Sequence, residues 1–234
     1  MSRDFSGPEL MFLLGALRWT VLLTLVAFIG GGLGGFAVAL ARVSPARAVR
    51  WGAAVFVGLF QGTPLLMQLF VAFYGLAVLT GVRLDPWPAV ALAFALYAAA
   101  FLGDIWRGTI EAIPRAQWEA ATALGLRRWA ALRLVILPQA GRIAIPPTVG
   151  FLVQLIKNTS VAAIVGFVEL TRAGQLMVNV TFQPMIVYPL VAALYFAVCF
   201  PISFAAGWLE TRIDVRQGRR GYGVLRISHR ESLL

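Results

Sequence analysis

Cysteine and histidine are nearly missing from this 234-residue chain, where Cys199 and His229 stand alone. One thiol excludes an internal disulfide framework, and one thiol with one imidazole excludes a Cys/His metal cluster within the chain. Cys199 is expected as a small buried hydrophobe and His229 as a solvated tail residue. Charge is scarce as well, since Asp, Glu, Lys and Arg together make up 13% of the residues. Residues 19–41, 51–82, 86–103 and 173–209 contain none of the four, and 143–168 is interrupted only by Lys157. The Gly-Lys-Ser/Thr sequence of a nucleotide-binding loop is missing, and no acidic pair stands in a pattern suited to catalysis. Chemistry on a nucleotide is therefore not expected of this chain.

What fills the space is apolar, at 60% of the sequence, well above ordinary soluble usage. Each long uncharged stretch can hold about 17 to 25 helical residues, enough to cross a hydrocarbon core of roughly 30 Å. The expectation is an all-α integral membrane protein with five transmembrane helices, near 17–41, 56–79, 87–105, 144–167 and 186–208. Residues 1–18 do not read as a cleaved leader, because Asp4 and Glu9 precede a first span too long for a signal core.

A net charge of +10 raises nucleic-acid binding, but the basic residues form no patch on a soluble fold and no recognition motif. They sort by loop instead. Arg42, Arg47 and Arg50 follow the first span, Arg107, Arg115, Arg127, Arg128, Arg133 and Arg142 follow the third, and Arg212, Arg216, Arg219, Arg220, Arg226 and Arg230 follow the fifth. The other side has Arg3, Arg18, Arg83 and Arg172, with Lys157 inside a span. The positive-inside rule then sets the N-terminus outside and the C-terminus in the cytoplasm.

Breaks within the apolar segments carry the remaining information. Gly30-Gly31-Gly32 and Gly34-Gly35 leave the first span with a face for close helix packing. Gln61-Gly62-Thr63-Pro64 interrupts the second segment, where Pro64 lacks a donor and clashes with the preceding turn. A kink or a broken helix is expected there, with residues 46–61 partly interfacial, the crossing proper starting near Thr63, and Gln68 on a face similar to that of Gln61, mildly favouring a polar lining. Such a break is either a structural hinge or a hinge that also borders a solute route. Lys157-Asn158-Thr159-Ser160 sets four polar residues inside the fourth segment, as interhelical bonding or as lining of a path. Lys157 can snorkel, attract a carboxylate, or pair with Asp104 or Glu169.

The loop 107–142 between the third and fourth spans has helix punctuation throughout. Pro114 can begin a helix over Arg115 to Leu124, and Gly125 is suited to end it. Ala120, Ala121 and Ala123 permit close approach to another surface, with Glu119 a directed acceptor. Residues 126–136 repeat the pattern with Leu126, Trp129, Leu132 and Ile136 apolar, and Pro138 is expected to stop it. The residues alone leave two readings open, a chain reversal or a docking element.

Glu119-Ala120-Ala121, Gly125 and Leu137-Pro138 resemble the EAA loop of integral-membrane subunits of binding-protein-dependent ABC importers. The likeness continues through Gln61-Gly62-Thr63-Pro64-Leu65-Leu66, Ile113-Pro114-Arg115-Ala116-Gln117-Trp118, Lys157-Asn158-Thr159-Ser160, Glu169-Leu170-Thr171 and Leu209-Glu210. Over nearly residues 12–212 the chain is similar to the polar-amino-acid permease branch. Val135 stands where that family commonly has Ile, Ala116 where it has Gly, Gln61 where it often has Arg and Asp104 where it often has Glu. Gln61 removes a charge, with consequences for substrate preference or assembly.

The resemblance implies the ABC type I importer permease fold over residues 1–212 and a basic cytoplasmic tail over 213–234. It implies ATPase coupling through Glu119, Ala120, Ala121, Gly125 and Pro138. A hinge or pathway role falls to Gln61, Gly62, Thr63, Pro64, Gln68, Lys157, Asn158, Thr159 and Ser160. The implied partners are a second permease subunit, identical or paralogous, two ATP-binding subunits, an extracytoplasmic solute-binding protein and a polar amino acid. This chain itself would bind no cofactor, with ATP and Mg on the partner ATPase, and would reside in the bacterial cytoplasmic (inner) membrane. A membrane scaffold that only recruits a partner is the alternative in another class, followed by a secondary transporter.

Overall fold

A computed structural model describes residues 7–81 and 85–216, of which 76, 80 and 210–216 are described by backbone alone. Arg3, Arg83, His229 and the side chains of the tail arginines from Arg212 onward lie outside the described residues. The chain there is helical, with no strand among the described residues.

Helix α1 spans Gly7–Arg42, about 54 Å at 1.5 Å per residue, and begins ten residues before the expected span. Its added turns have a partner: Leu13 and Ala16 are buried against Leu170 and Ala173 and against Val187 and Val191. Glu9 in the first turn also suits the positive end of the helix. Helix α2 (Arg47–Gly62) stops at Thr63-Pro64, and the chain resumes as α3 (Leu65–Phe70), a π turn (Val71–Gly75) and α4 (Leu76–Thr80). The two arms meet at a bend of 104°. Of the two expected forms, a kink or a broken helix, the structure has the break.

Helix α5 (Pro86–Glu111) starts on an Asp85 cap, whose carboxylate accepts from the Trp87 amide at 3.0 Å. It packs along α1 with no room to spare. A Cβ at Gly31 would lie 2.4 Å from Ala98 Cβ and 2.9 Å from the Ala95 carbonyl, and one at Gly35 would lie 3.0 Å from the Gly103 nitrogen. The glycine-rich face of the first span thus serves as a packing seam.

After α6 (Arg115–Ala123) and α7 (Arg128–Ala131), a π turn over Leu132–Ile136 leads directly into α8 (Leu137–Asn158). Pro138 does not stop the helix. The wider turn has the Leu137 amide donating five residues back to the Leu132 carbonyl, and this shift of register accommodates Pro138 in the first turn of α8. Gln139 supplies a side-chain donor to the Val135 carbonyl at 2.8 Å. The helical run from Arg128 to Val165 is continuous over 38 residues. It ends as a 3₁₀ helix, Thr159–Val165, and is followed by α9 (Leu170–Thr181) and α10 (Pro184–Arg216).

Four helices among the described residues are long and apolar enough to cross a bilayer, and the bent α2 to α4 pair makes a fifth span if counted as one. The main core joins Leu23 and Ala27 of α1, Leu69 of α3, Phe94, Tyr97 and Leu102 of α5, and Phe151 and Leu155 of α8. Outward surfaces stay apolar. Phe196, Phe200 and Phe204 stack along α10 with centroids 5.0 Å and 6.3 Å apart, and Leu33 of α1 is 74% exposed. Such continuous apolar faces suit lipid rather than water. Cys199 belongs to this half-covered helix, and its thiol is free and of intermediate burial rather than fully buried.

Candidate coupling and pathway sites

The loop between α5 and α8 builds one compact, outward-facing element. Only Ala112, Ile113 and Pro114 separate α5 from α6, and Pro114 sits just before the first helical residue, where its missing N–H costs nothing. At the other end Gly125 adopts φ +77°, the left-handed conformation that glycine accepts without a Cβ penalty. The Leu126 amide donates to the Ala121 carbonyl at 3.1 Å and the Gly125 amide to the Thr122 carbonyl at 2.9 Å. That pair of bonds is a Schellman closure, which satisfies carbonyls the helix end would otherwise leave open.

Packing then decides which side of α6 is free. Ala121 is buried, and Trp118 rests on the cluster of Ile110, Ile113, Leu132, Ile136 and Ala140. Glu119, Ala120 and Ala123 face outward, and Leu124 is 82% exposed. Trp129 on α7 and Leu134 on the π turn are also exposed. Between α6 and α7 opens a cleft of about 480 Å³ lined by Trp118, Thr122, Leu126, Arg128 and Ala131. Of the expected coupling residues, Glu119, Ala120 and Gly125 are presented, Ala121 is a buried anchor, and Pro138 lies in the joint to α8.

The two polar breaks are organised differently. At the first, Gln68 Nε2 donates to the Phe60 carbonyl at 2.7 Å and to the Thr63 carbonyl and Oγ1, each at 3.0 Å. Its amide staples the broken ends of α2 and α3. Gln61, by contrast, is exposed. At the second, Asn158 donates to the Tyr97 hydroxyl at 3.2 Å, Thr159 to the Ile156 carbonyl at 2.7 Å and Ser160 to the Lys157 carbonyl at 2.8 Å. These bonds mark the change from α to 3₁₀ winding, where the ladder tightens. The breaks meet through apolar contacts, since Leu69 of α3 shares the core with Ala162 and Val165.

Lys157 is exposed and pairs with neither expected carboxylate. Asp104 accepts from Arg107 Nε at 2.9 Å, with Arg42 at 3.8 Å. Glu169, wholly buried, caps α9 by accepting from the Thr171 and Arg172 amides, each at 2.8 Å, and from the Tyr195 hydroxyl at 2.7 Å. Thr20 of α1 joins this knot by accepting from the Leu170 amide at 3.1 Å. Sequence reasoning did not foresee α9 or its cap; an isolated acid after Gly166, three residues before Arg172, was the signal. From Tyr97 to Glu111 the helical rise is about 21 Å, so the pathway candidates and the coupling element occupy different levels of α5.

A polytopic all-α chain with broken spans and a capped, outward-facing loop helix defines a membrane permease subunit. Residues 30–215 match the family described as binding-protein-dependent transport system inner membrane component, and the chain belongs to that family. It is 38% identical over 201 residues to the L-cystine transport system permease protein TcyB of Bacillus subtilis (strain 168), covering 86% of each chain. It is 30% identical over 218 residues to the glutamine transport system permease protein GlnP of Escherichia coli (strain K12), covering 92% of this chain and 100% of that one. A solved structure, the crystal structure of an amino acid ABC transporter with histidines, superposes with a TM-score of 0.83 at 29% identity. It covers 91% of this chain and 100% of the solved one. The permease subunit is not itself catalytic; ATP hydrolysis belongs to separate nucleotide-binding subunits.

Proposed function

We propose that this chain moves polar or charged amino acids across the bacterial cytoplasmic membrane as the permease subunit of an ATP-driven importer. The observation that carries the reading is the Schellman-capped helix Arg115–Ala123, which buries Ala121 and Trp118 inward and presents Glu119 outward from a chain of this family. The relatives named for cystine and glutamine transport support the substrate class. A second permease subunit, two ATP-binding subunits and an extracytoplasmic solute-binding protein complete the assembly.

Residues 107–142 face the cytoplasm, with the N-terminus outside, because six arginines lie in that loop. ATP binding favours one arrangement of the ATPases, and α6 seated on them conveys it to the spans. The coupling requires contacts that differ between two states, since equal contact in both would shift nothing. The breaks at Gln61-Gly62-Thr63-Pro64 and Lys157-Asn158-Thr159-Ser160 are where the membrane half opens and reseals, with exposed Lys157 offering a carboxylate-compatible charge.

Uptake by the reconstituted complex against labelled cystine, glutamine, glutamate, histidine and arginine tests the proposal. Binding-protein-stimulated ATP hydrolysis together with uptake of at least one of these is expected. Transport of sugars or inorganic anions alone would overturn the substrate class, and no stimulated hydrolysis would favour a scaffold. In a Cys199→Ala background, a cysteine at position 111 labels from the cytoplasmic side. Full uptake by Lys157→Ala at limiting substrate would remove Lys157 from the path.

A further inference from the structure

At the lower end of the α1–α5 seam, four charged side chains join the two helices just above the coupling loop. Arg107 donates through Nε to Asp104 at 2.9 Å and through its guanidinium to Glu111, while Arg42 of α1 reaches Asp104 at 3.8 Å. Glu111 is the last residue of α5, three positions before Pro114. The same end of α1 touches the loop itself. Leu40 and Val43 pack on the cluster that holds Trp118, and the Val43 carbonyl accepts from Arg128 of α7 at 3.4 Å. Because the seam above has no clearance at Gly31, Gly35 and Gly103, α1 and α5 are locked together down to Gly103, one residue before Asp104. The corner is therefore one route, beside the apolar packing of Trp118 on Ile110 and Ile113, by which displacement of α6 reaches these helices.

The corner is incompletely satisfied. Arg42 Nε is buried with no hydrogen-bond partner, in a side chain whose one ion pair is long. A buried donor without an acceptor is disfavoured, so Arg42 Nε gains from any acceptor brought within reach. Asp104 is a short carboxylate whose Oδ1 is held by Arg107, so the gap to Arg42 closes by rotation of the Arg42 side chain or by a shift of α5 against α1.

We propose that Asp104, Arg107 and Arg42 are positioning residues for energy coupling, with Arg42 the member whose contact to Asp104 tightens and loosens as the ends of α1 and α5 beyond Gly103 shift with the coupling helix. The inference rests on the coupling role proposed for residues 114–125. Arg107 and Glu111 hold the end of α5 straight into Ala112 and Pro114, and Asp104 carries that position across to α1.

The test is the ratio of solute transported to ATP hydrolysed by the reconstituted complex with its binding protein. Asp104→Asn and Arg42→Gln are each expected to lower this ratio at least five-fold, with subunit recovery and basal ATP hydrolysis unchanged. Asp104→Glu, which keeps the charge on a longer arm, should hold it within two-fold. The double variant Arg42→Gln/Asp104→Asn should be no worse than the weaker single one, because both remove the same contact. An unchanged ratio in both single variants overturns the inference, as does a fall matched by loss of assembled complex. Glu119→Lys in parallel reports on the docking helix itself. If it uncouples and Asp104→Asn does not, the corner is structural and the docking reading stands; if only Asp104→Asn uncouples, the docking seat is wrong and the corner stands.

Discussion

The α1–α5 seam and the coupling loop are built from the same small residues and put them to opposite uses. In the seam, Gly31, Gly35, Ala98 and Gly103 are consumed inside the chain, backbone against backbone, until no Cβ fits. In the loop, Ala121 faces inward while Ala120 and Ala123 remain uncovered beside Glu119 and Leu124. The first arrangement completes itself within one chain. The second is complete only as a folded surface, since its caps and its Trp118 anchor satisfy the helix without covering its outer face. Small side chains therefore mark close approach in both regions, and burial tells which approach is internal.

A change that breaks the comparison most strongly is Gly31→Leu. Its Cβ alone would sit 2.4 Å from Ala98 Cβ, so the helices must part, at a cost of about 3 kcal/mol. Detergent-solubilised protein should lose most of its monodisperse fraction; wild-type recovery and melting would show that the seam is loose. Glu169→Ala is expected next, at about 2 kcal/mol, since it strips the α9 cap and leaves the Tyr195 hydroxyl without its carboxylate acceptor. Thermal melting reads this directly, and Glu169→Gln should recover part of the loss. On the loop side, Leu124→Ser should change stability by under about 0.5 kcal/mol, because the side chain is 82% exposed. Co-purification of the ATP-binding subunit should nevertheless fall. Equal retention of that subunit would mean that the outer face of α6 is ordinary surface.

Composition and charge placement made the membrane class legible, and the glycine run foretold the seam because close packing in lipid leaves few other uses for five glycines in six positions. The loop helix Arg115–Ala123 was equally legible. Pro114 and Gly125 are local signals whose meaning does not depend on distant contacts. Pro138 misled for the converse reason: a proline reads as a stop only if the ladder before it stays in α register, and the π turn at Leu132–Ile136 removes that premise. The start of α1 was read ten residues late because its first turns are stabilised by α9 and α10, which are far along the chain. Gln68 was read as hinge or pathway without a choice between them, and the bonds of its amide to Phe60 and Thr63, which place it across the break, depend on a geometry the sequence does not show. Lys157 was given two possible carboxylate partners, and each proved engaged elsewhere.

The absence of clearance along α1 also constrains how sequences of this shape can drift. Where Gly31 meets Ala98 and Gly103 meets Val38, volume gained by one helix must be surrendered by the other in the same step or its near neighbour. Positions about 65 residues apart in the chain are thereby tied as reciprocal pairs, while Ala120 and Glu119, uncovered within this chain, are under no such tie. Co-variation within this chain is expected along the seam and not on the outer face of α6.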